Sequence, residues 1–173
     1  MADRISIGDQ APNFDLSSTE GVLLMLRDEV PRTSVVLYFF SDPASERVRR
    51  DLAALGRRQD ALRKVHAKPL GVSRADLASL QKLQAELELP FPLLHDDRDF
   101  SSRYGLAAPQ EGQEVAPALY VVNRHQTVLW LSNPVASVEE AMPEVIKSLQ
   151  DQGSPAGGYP RAVINRWVDR WVN

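Results

Sequence analysis

The chain contains no cysteine. That excludes disulfides, cysteine-ligated metal centres and every thiol mechanism, and it leaves the redox compartment undetermined by cysteine usage. No stretch approaches the ~20 apolar residues of a membrane-spanning helix, and the opening MADRISIGDQAP has no apolar signal core. A cytoplasmic location is the expectation. Neither sign of charge dominates, for the formal net charge is -3. Arg47, Arg49, Arg50, Arg57 and Arg58 are interspersed with acids and read as a solvated helix face, so nucleic acid is not an expected partner. A glycine-rich phosphate loop, H-E-x-x-H and G-x-S-x-G are also missing.

What is present suits one domain with a sizeable core: 173 residues, 43% hydrophobic and 25% charged. Its centre is the stretch 33–55. TSVVLYFF is β-branched and aromatic, too apolar for a wet face, and predicts a strand covered on both sides. SDP and ASERVRRDLAAL follow. Asp42 is expected to cap a helix with Pro43 in its first turn, and Ala44, Val48, Leu52 and Leu55 recur on one face. A central strand that runs into a helix N-terminus is a favoured place for chemistry on an anion.

Around this centre the chain alternates. Residues 13–17 read as a short edge strand with Phe14 and Leu16 on one face, and 22–26 as a second. Gly56 either ends the first helix or is carried through it at about 1 kcal/mol relative to Ala. Residues 67–73 predict a strand, and Asp76 caps a helix with Leu77, Leu80, Leu83 and Leu87 as its stripe. LPFPLLHD is held extended by its prolines. A short helix capped by Asp99 and stopped by Gly105 comes next. Residues 118–122 and 127–131 form a hairpin, and the capping box Ser137-Val-Glu-Glu140 opens a helix to about Gln150. The pattern predicts an α/β layered fold around a mixed central sheet, flanked by helices.

Residues 153–161 are a linker by composition, after a domain of residues 1–152. In 162–173, Val163, Trp167 and Trp171 are spaced by four, as are Ile164, Val168 and Val172, which predicts an amphipathic C-terminal helix. Trp167 and Trp171 need a surface to bury against. The chain's own body and a subunit contact are both open, with a membrane surface third.

Several pieces, in order, resemble the thioredoxin-fold peroxiredoxins of the alkyl hydroperoxide reductase/thiol-specific antioxidant family, nearest the peroxiredoxin Q (bacterioferritin comigratory) branch. Ile7-Gly-Asp-Gln-Ala-Pro-Asn-Phe-Asp-Leu16 looks like the family opening, Val35-Val-Leu-Tyr-Phe-Phe40 like the strand before its active site, and Arg50-Asp51 like the "R-D" on its first helix. Leu70-Gly-Val-Ser73, Leu89-Pro-Phe-Pro-Leu-Leu-His-Asp96, Arg103-Tyr-Gly-Leu106 and Val115-Ala-Pro-Ala-Leu-Tyr-Val-Val-Asn123 continue the series over about residues 5–150. The resemblance implies a thioredoxin-like fold. It also implies that Pro117 stands beside the active site, usually as a cis proline; the residues alone suggest an ordinary trans proline before a strand.

The resemblance breaks where the family keeps its chemistry. A "P-x-x-x-T-x-x-C" segment there lowers the cysteine pKa at a helix N-terminus. This chain has Ser41-Asp-Pro-Ala-Ser-Glu46, several residues shorter if Arg50-Asp51 keeps register. The cysteine's place then falls near Asp42; aligned to "C-x-x-C" without a gap, the places are Ala44 and Arg47. The threonine and arginine are missing as well. Ser41 and Ser45 read as turn and cap residues, because a serine nucleophile needs an adjacent base and cannot cycle through sulfenic acid.

The expectation is a cysteine-free peroxiredoxin-like protein that is redox-inactive, without cofactor or metal, and acts as a binding or structural module and homo-oligomer. Ser41, Asp42, Ala44, Ser45 and Pro117 line its residual site, open to a protein or small ligand; Trp167 and Trp171 are interface candidates. His95, Asp96, Asp97 and Asp99 read as an exposed acidic turn rather than metal ligands. The alternative is an antioxidant oxidoreductase of the family that works with a partner's thiol or a non-thiol group.

Overall fold

Residues 5–106 and 115–152 are described by the structure, a computed structural model. The expected linker 153–161 and the Trp167/Trp171 segment lie outside the described residues. Strands β1 (Asp15–Ser18), β2 (Leu23–Met25), β3 (Ser34–Phe40), β4 (Ala67–Ser73), β5 (Leu93–His95), β6 (Ala118–Val122) and β7 (Val128–Ser132) form one sheet in the order β2-β1-β5-β4-β3-β6-β7. β3, β4 and β5 run parallel, and β6 lies antiparallel to β3. The mixed sheet is the expected thioredoxin-like arrangement.

All seven residues of β3 are buried, as its unbroken apolar run requires. Alternate side chains enter separate cores. Val36, Tyr38 and Phe40 pack with helices α2 (Glu46–Arg57), α4 (Leu77–Leu87) and α6 (Val138–Gln152). Val35, Leu37 and Phe39 join Phe14, Leu16, Tyr104 and Tyr120 on the other side. The sheet is thus buried on both faces. Gly71 of β4 is needed at a close approach: a Cβ there would lie 2.5 Å from Leu93 and 3.3 Å from Phe40.

Several local expectations are corrected. β1 is not an edge strand, because it pairs with both β2 and β5; the edge falls to β2. A one-turn helix α1 (Leu26–Glu29) follows β2, where the sequence suggested more strand, and Leu26 is fully buried. Gly56 lies within α2, and a separate α3 (Gln59–Lys64) comes next. Asp99 stands at the N-cap position of α5 (Phe100–Arg103) as expected, but with φ 59° and no side-chain cap bond, because its carboxylate pairs with Arg74. Asp96, buried, takes the capping role and accepts the Phe100 and Ser101 amides, each at 2.8 Å. Two expected caps hold. Asp76 accepts from the Ser79 amide at 3.0 Å, and Ser137 from that of Glu140 at 3.4 Å.

Candidate functional site

The parallel strands β3, β4 and β5 end at one edge of the sheet, and antiparallel β6 begins there. Phe39 pairs with Ala118, so Pro117 stands beside Phe40, the last residue before the loop. The fold therefore brings the start of the 41–45 loop beside Pro117. Ser41, Pro43 and Ser45 are half-buried and Asp42 and Ala44 exposed; Pro117 is buried.

The loop is closed by its own polar groups. Asp42 Oδ1 accepts from the Ala44 amide at 2.9 Å, and the Asp42 carbonyl accepts from the Ser45 amide at 3.2 Å. Ser45 is the N-cap, and its Oγ accepts from the Val48 amide at 3.4 Å. This moves the cap from Asp42, where it was expected. A short side chain that can serve either an Asx turn or a cap has taken the turn, and the helix starts at Glu46. Ala44 accordingly lies outside the helix and does not extend its apolar face.

Pro117 follows a trans peptide bond; among the described residues the cis bond is Asn133–Pro134. Standing just before β6, Pro117 forfeits no ladder hydrogen bond by lacking an N–H, and its carbonyl accepts from the Val135 amide at 2.8 Å.

Beneath the loop is a polar cluster that sequence reasoning missed. Asp51, 3% exposed, accepts from the Tyr38 hydroxyl at 2.7 Å and from the Val138 amide at 3.1 Å. One carboxylate thus ties β3, α2 and the start of α6 together. Burial, reinforced by the Asp51 charge and hydrogen bond, pushes the Tyr38 phenol far above its ordinary pKa. Four residues before Asp51 on the same helix face, Arg47 donates to the carbonyls of Val135 and Ala136, the latter at 3.3 Å. Its Nε is buried with no hydrogen-bond partner among the described residues.

Arg47 is therefore not part of a merely solvated face, and neither is Arg49, whereas Arg50, Arg57 and Arg58 are exposed as expected. Arg49 donates to the Pro43 carbonyl at 3.1 Å and pairs with Glu86, while Arg58 pairs with Glu139 at 2.7 Å. The i, i+4 spacing of Arg47 and Asp51 was the available signal. It is weak, because such spacing also suits exposed pairs.

The three histidines stand away from the loop serines. His66 and His125 lie at the opposite end of the sheet, before β4 and in the β6–β7 turn. His95 shares the loop's edge, but Ser73 stands between it and Phe40 in the pairing, placing it about 10 Å away across two strand spacings. Its Nδ1 already lies 2.7 Å from the Ala75 carbonyl oxygen.

Comparison with known proteins accords with this geometry. The chain is 27% identical over 151 residues to a putative chloroplastic peroxiredoxin Q of Oryza sativa subsp. indica, with 87% of this chain and 69% of that protein covered. It is 29% identical over 103 residues to a putative peroxiredoxin bcp of Coxiella burnetii, covering 59% and 68% respectively. Among solved structures, peroxidoxin BcpB of Mycobacterium tuberculosis superposes with a TM-score of 0.78 at 18% identity, covering 85% of this chain and 97% of that one. A PrxQ mutant of Xylella fastidiosa gives 0.77 at 18% identity, with 88% and 99% covered. These structural likenesses establish the fold. Residues 7–131 match the AhpC/TSA family model. With that match spanning most of its length and no cysteine anywhere in its sequence, the chain belongs to the AhpC/TSA family and lacks the family's catalytic cysteine.

Proposed function

We propose that this protein is a redox-inactive member of the AhpC/TSA family that serves as a binding or structural module. The observation that carries the reading is the composition of the β3–α2 junction. It holds no sulfur, and Asp42 and Ser45 use their side-chain oxygens to close the turn and cap the helix. Peroxide reduction by the family mechanism needs a thiolate that passes through sulfenic acid, which a serine cannot do. Fold and site are separate physical requirements, so the first can outlast the second.

On this reading residues 41–45 and Pro117 offer a docking place for a peptide or small ligand. Residues 153–161 act as a linker, and the segment 162–173 carries Trp167 and Trp171 to the body of the chain or to a second copy. A cytoplasmic setting fits the same picture. Among the described residues no helix is long and apolar enough to cross a membrane.

The test is peroxide consumption by the purified, metal-stripped protein with a small thiol reductant and then a thioredoxin system. No turnover beyond buffer is expected. Turnover by the purified chain would overturn the reading. Consumption above extract alone, appearing only when cell extract is mixed in, would favour a partner's thiol as the source of chemistry.

A further inference from the structure

At the opposite end of β3 from the loop, roughly 20 Å away along seven residues of strand, lies a concavity of about 370 Å³. Arg32, Gln59, Arg63, His66 and Lys68 line it. We propose that this concavity binds a small phosphate-bearing molecule carrying at least two negative charges.

The charges are gathered here in a chain whose formal net charge is -3, so they are not the overflow of a basic protein. The exposed Arg32 guanidinium makes no ion pair with a described residue. Arg63 has only Asp60, 4.0 Å away, with both side chains mostly in solvent at 72% and 92% exposure. Such a pair is weak and yields readily to a better anion. Lys68 is held by Glu29, which steadies its ammonium at the wall while offsetting part of its charge. Arg124, outside the lining, donates to the Pro31 carbonyl at 3.4 Å and so tethers the segment that carries Arg32. A single carboxylate would leave this set mostly unmatched, whereas phosphate oxygens suit several guanidinium forks at once.

The floor is already organised. The His66 carbonyl accepts both the Ser34 amide and the Thr33 hydroxyl, each at 2.9 Å, and the His66 amide donates to the Arg63 carbonyl at 3.1 Å. These bonds fix the turn between α3 and β4 with His66 at φ 56°, so ligand binding need not order it. The Gln59 amide nitrogen is only loosely engaged, 3.5 Å from the Pro90 carbonyl, and is available to a neutral part of the ligand. The volume suits a small molecule. A concave site without an extended basic stripe does not suit a nucleic acid backbone.

The test is calorimetric titration of the full chain with pyrophosphate, with ADP and with adenosine, at low salt and again at about 0.15 M. Saturable one-to-one binding of pyrophosphate or ADP is expected, weakened by salt, with adenosine binding at least about tenfold more weakly than ADP. The double variant Arg32→Gln/Arg63→Gln should lose at least about tenfold in affinity, while Lys147→Gln, an exposed cation on α6, stays within about twofold. Both arginines are exposed, so the double variant is expected to fold, which circular dichroism checks. The proposal is overturned if neither anion binds saturably, if adenosine binds as well as ADP, or if Lys147→Gln weakens binding as much as the double variant. This site does not depend on the β3–α2 loop, and its titration and the peroxide assay can fail separately.

Discussion

The loop at residues 41–45 leads into helix α2, and the carboxylate of Asp51 sits within that helix, less than two turns past its Ser45 cap, yet the two differ in exposure and in what they hold together. The loop is half open to solvent, closes on the hydrogen bonds of Asp42 and Ser45 and holds no sulfur. Asp51 is buried and serves β3, α2 and α6 at once. Removing reactivity from an exposed turn costs the fold little, because solvent and local hydrogen bonds make up the difference. Removing Asp51 would strand two buried donors. The contrast explains how a peroxiredoxin fold stands here without the family's cysteine.

The sharpest way to test the contrast is to break the buried side of it. Asp51→Ala should cost about 3 kcal/mol, read as a fall in urea midpoint, since the Tyr38 hydroxyl and Val138 amide both lose a charged acceptor. A loss within a few tenths of a kcal/mol would show that water or a rearranged neighbour replaces it. Gly71→Ala is next, at about 2 kcal/mol by the same measurement, because its methyl would press on Leu93 and Phe40. On the loop side, Ser45→Ala should cost about 1 kcal/mol, the ordinary value of a helix cap, and nothing more.

High pH probes the Tyr38–Asp51 bond without mutation. Burial raises the folded-state pKa of both Tyr38 and Tyr104 above their unfolded value near 10. The stability from their neutral forms is therefore complete below about pH 10 and is lost progressively as pH rises above it. Tyrosinate absorbance should appear together with loss of folded circular dichroism. Ionisation of all tyrosines at about pH 10 in a still-folded protein would contradict the burial argument. The smallest effect is expected at Asp76. Hydrogen bonds from Ser79 hold its carboxyl below the usual range, so its contribution is present above that range and lost as pH falls through it. The acid arm of the stability curve should shift slightly in Asp76→Ala.

Much of the architecture was legible in the sequence. β4 and β6 fall on the predicted residues and β3 within one of its predicted start, because strands buried on both faces leave unbroken apolar runs. Errors gathered where short polar side chains choose among local partners. Asp42 looked like a cap and makes a turn instead; Asp99 holds the cap position, but Asp96 supplies the side-chain acceptor from earlier in the chain. Nothing local distinguishes these cases, since each choice depends on where the neighbouring strand ends. The position of the candidate site was legible from a strand running into a helix. The Tyr38–Asp51–Val138 link was not, because it joins residues 87 apart that only the fold brings together. Arg47 was misread for a related reason: its acceptors are backbone carbonyls, which leave no mark in a sequence.

The most direct test of the central claim measures peroxide turnover by the parent chain beside a Ser41→Ala/Ser45→Ala variant, under the same thioredoxin-coupled conditions. The account predicts no turnover above buffer in either protein, with the variant still folded. Turnover in the parent that disappears in the variant would contradict it and make the loop an active site after all.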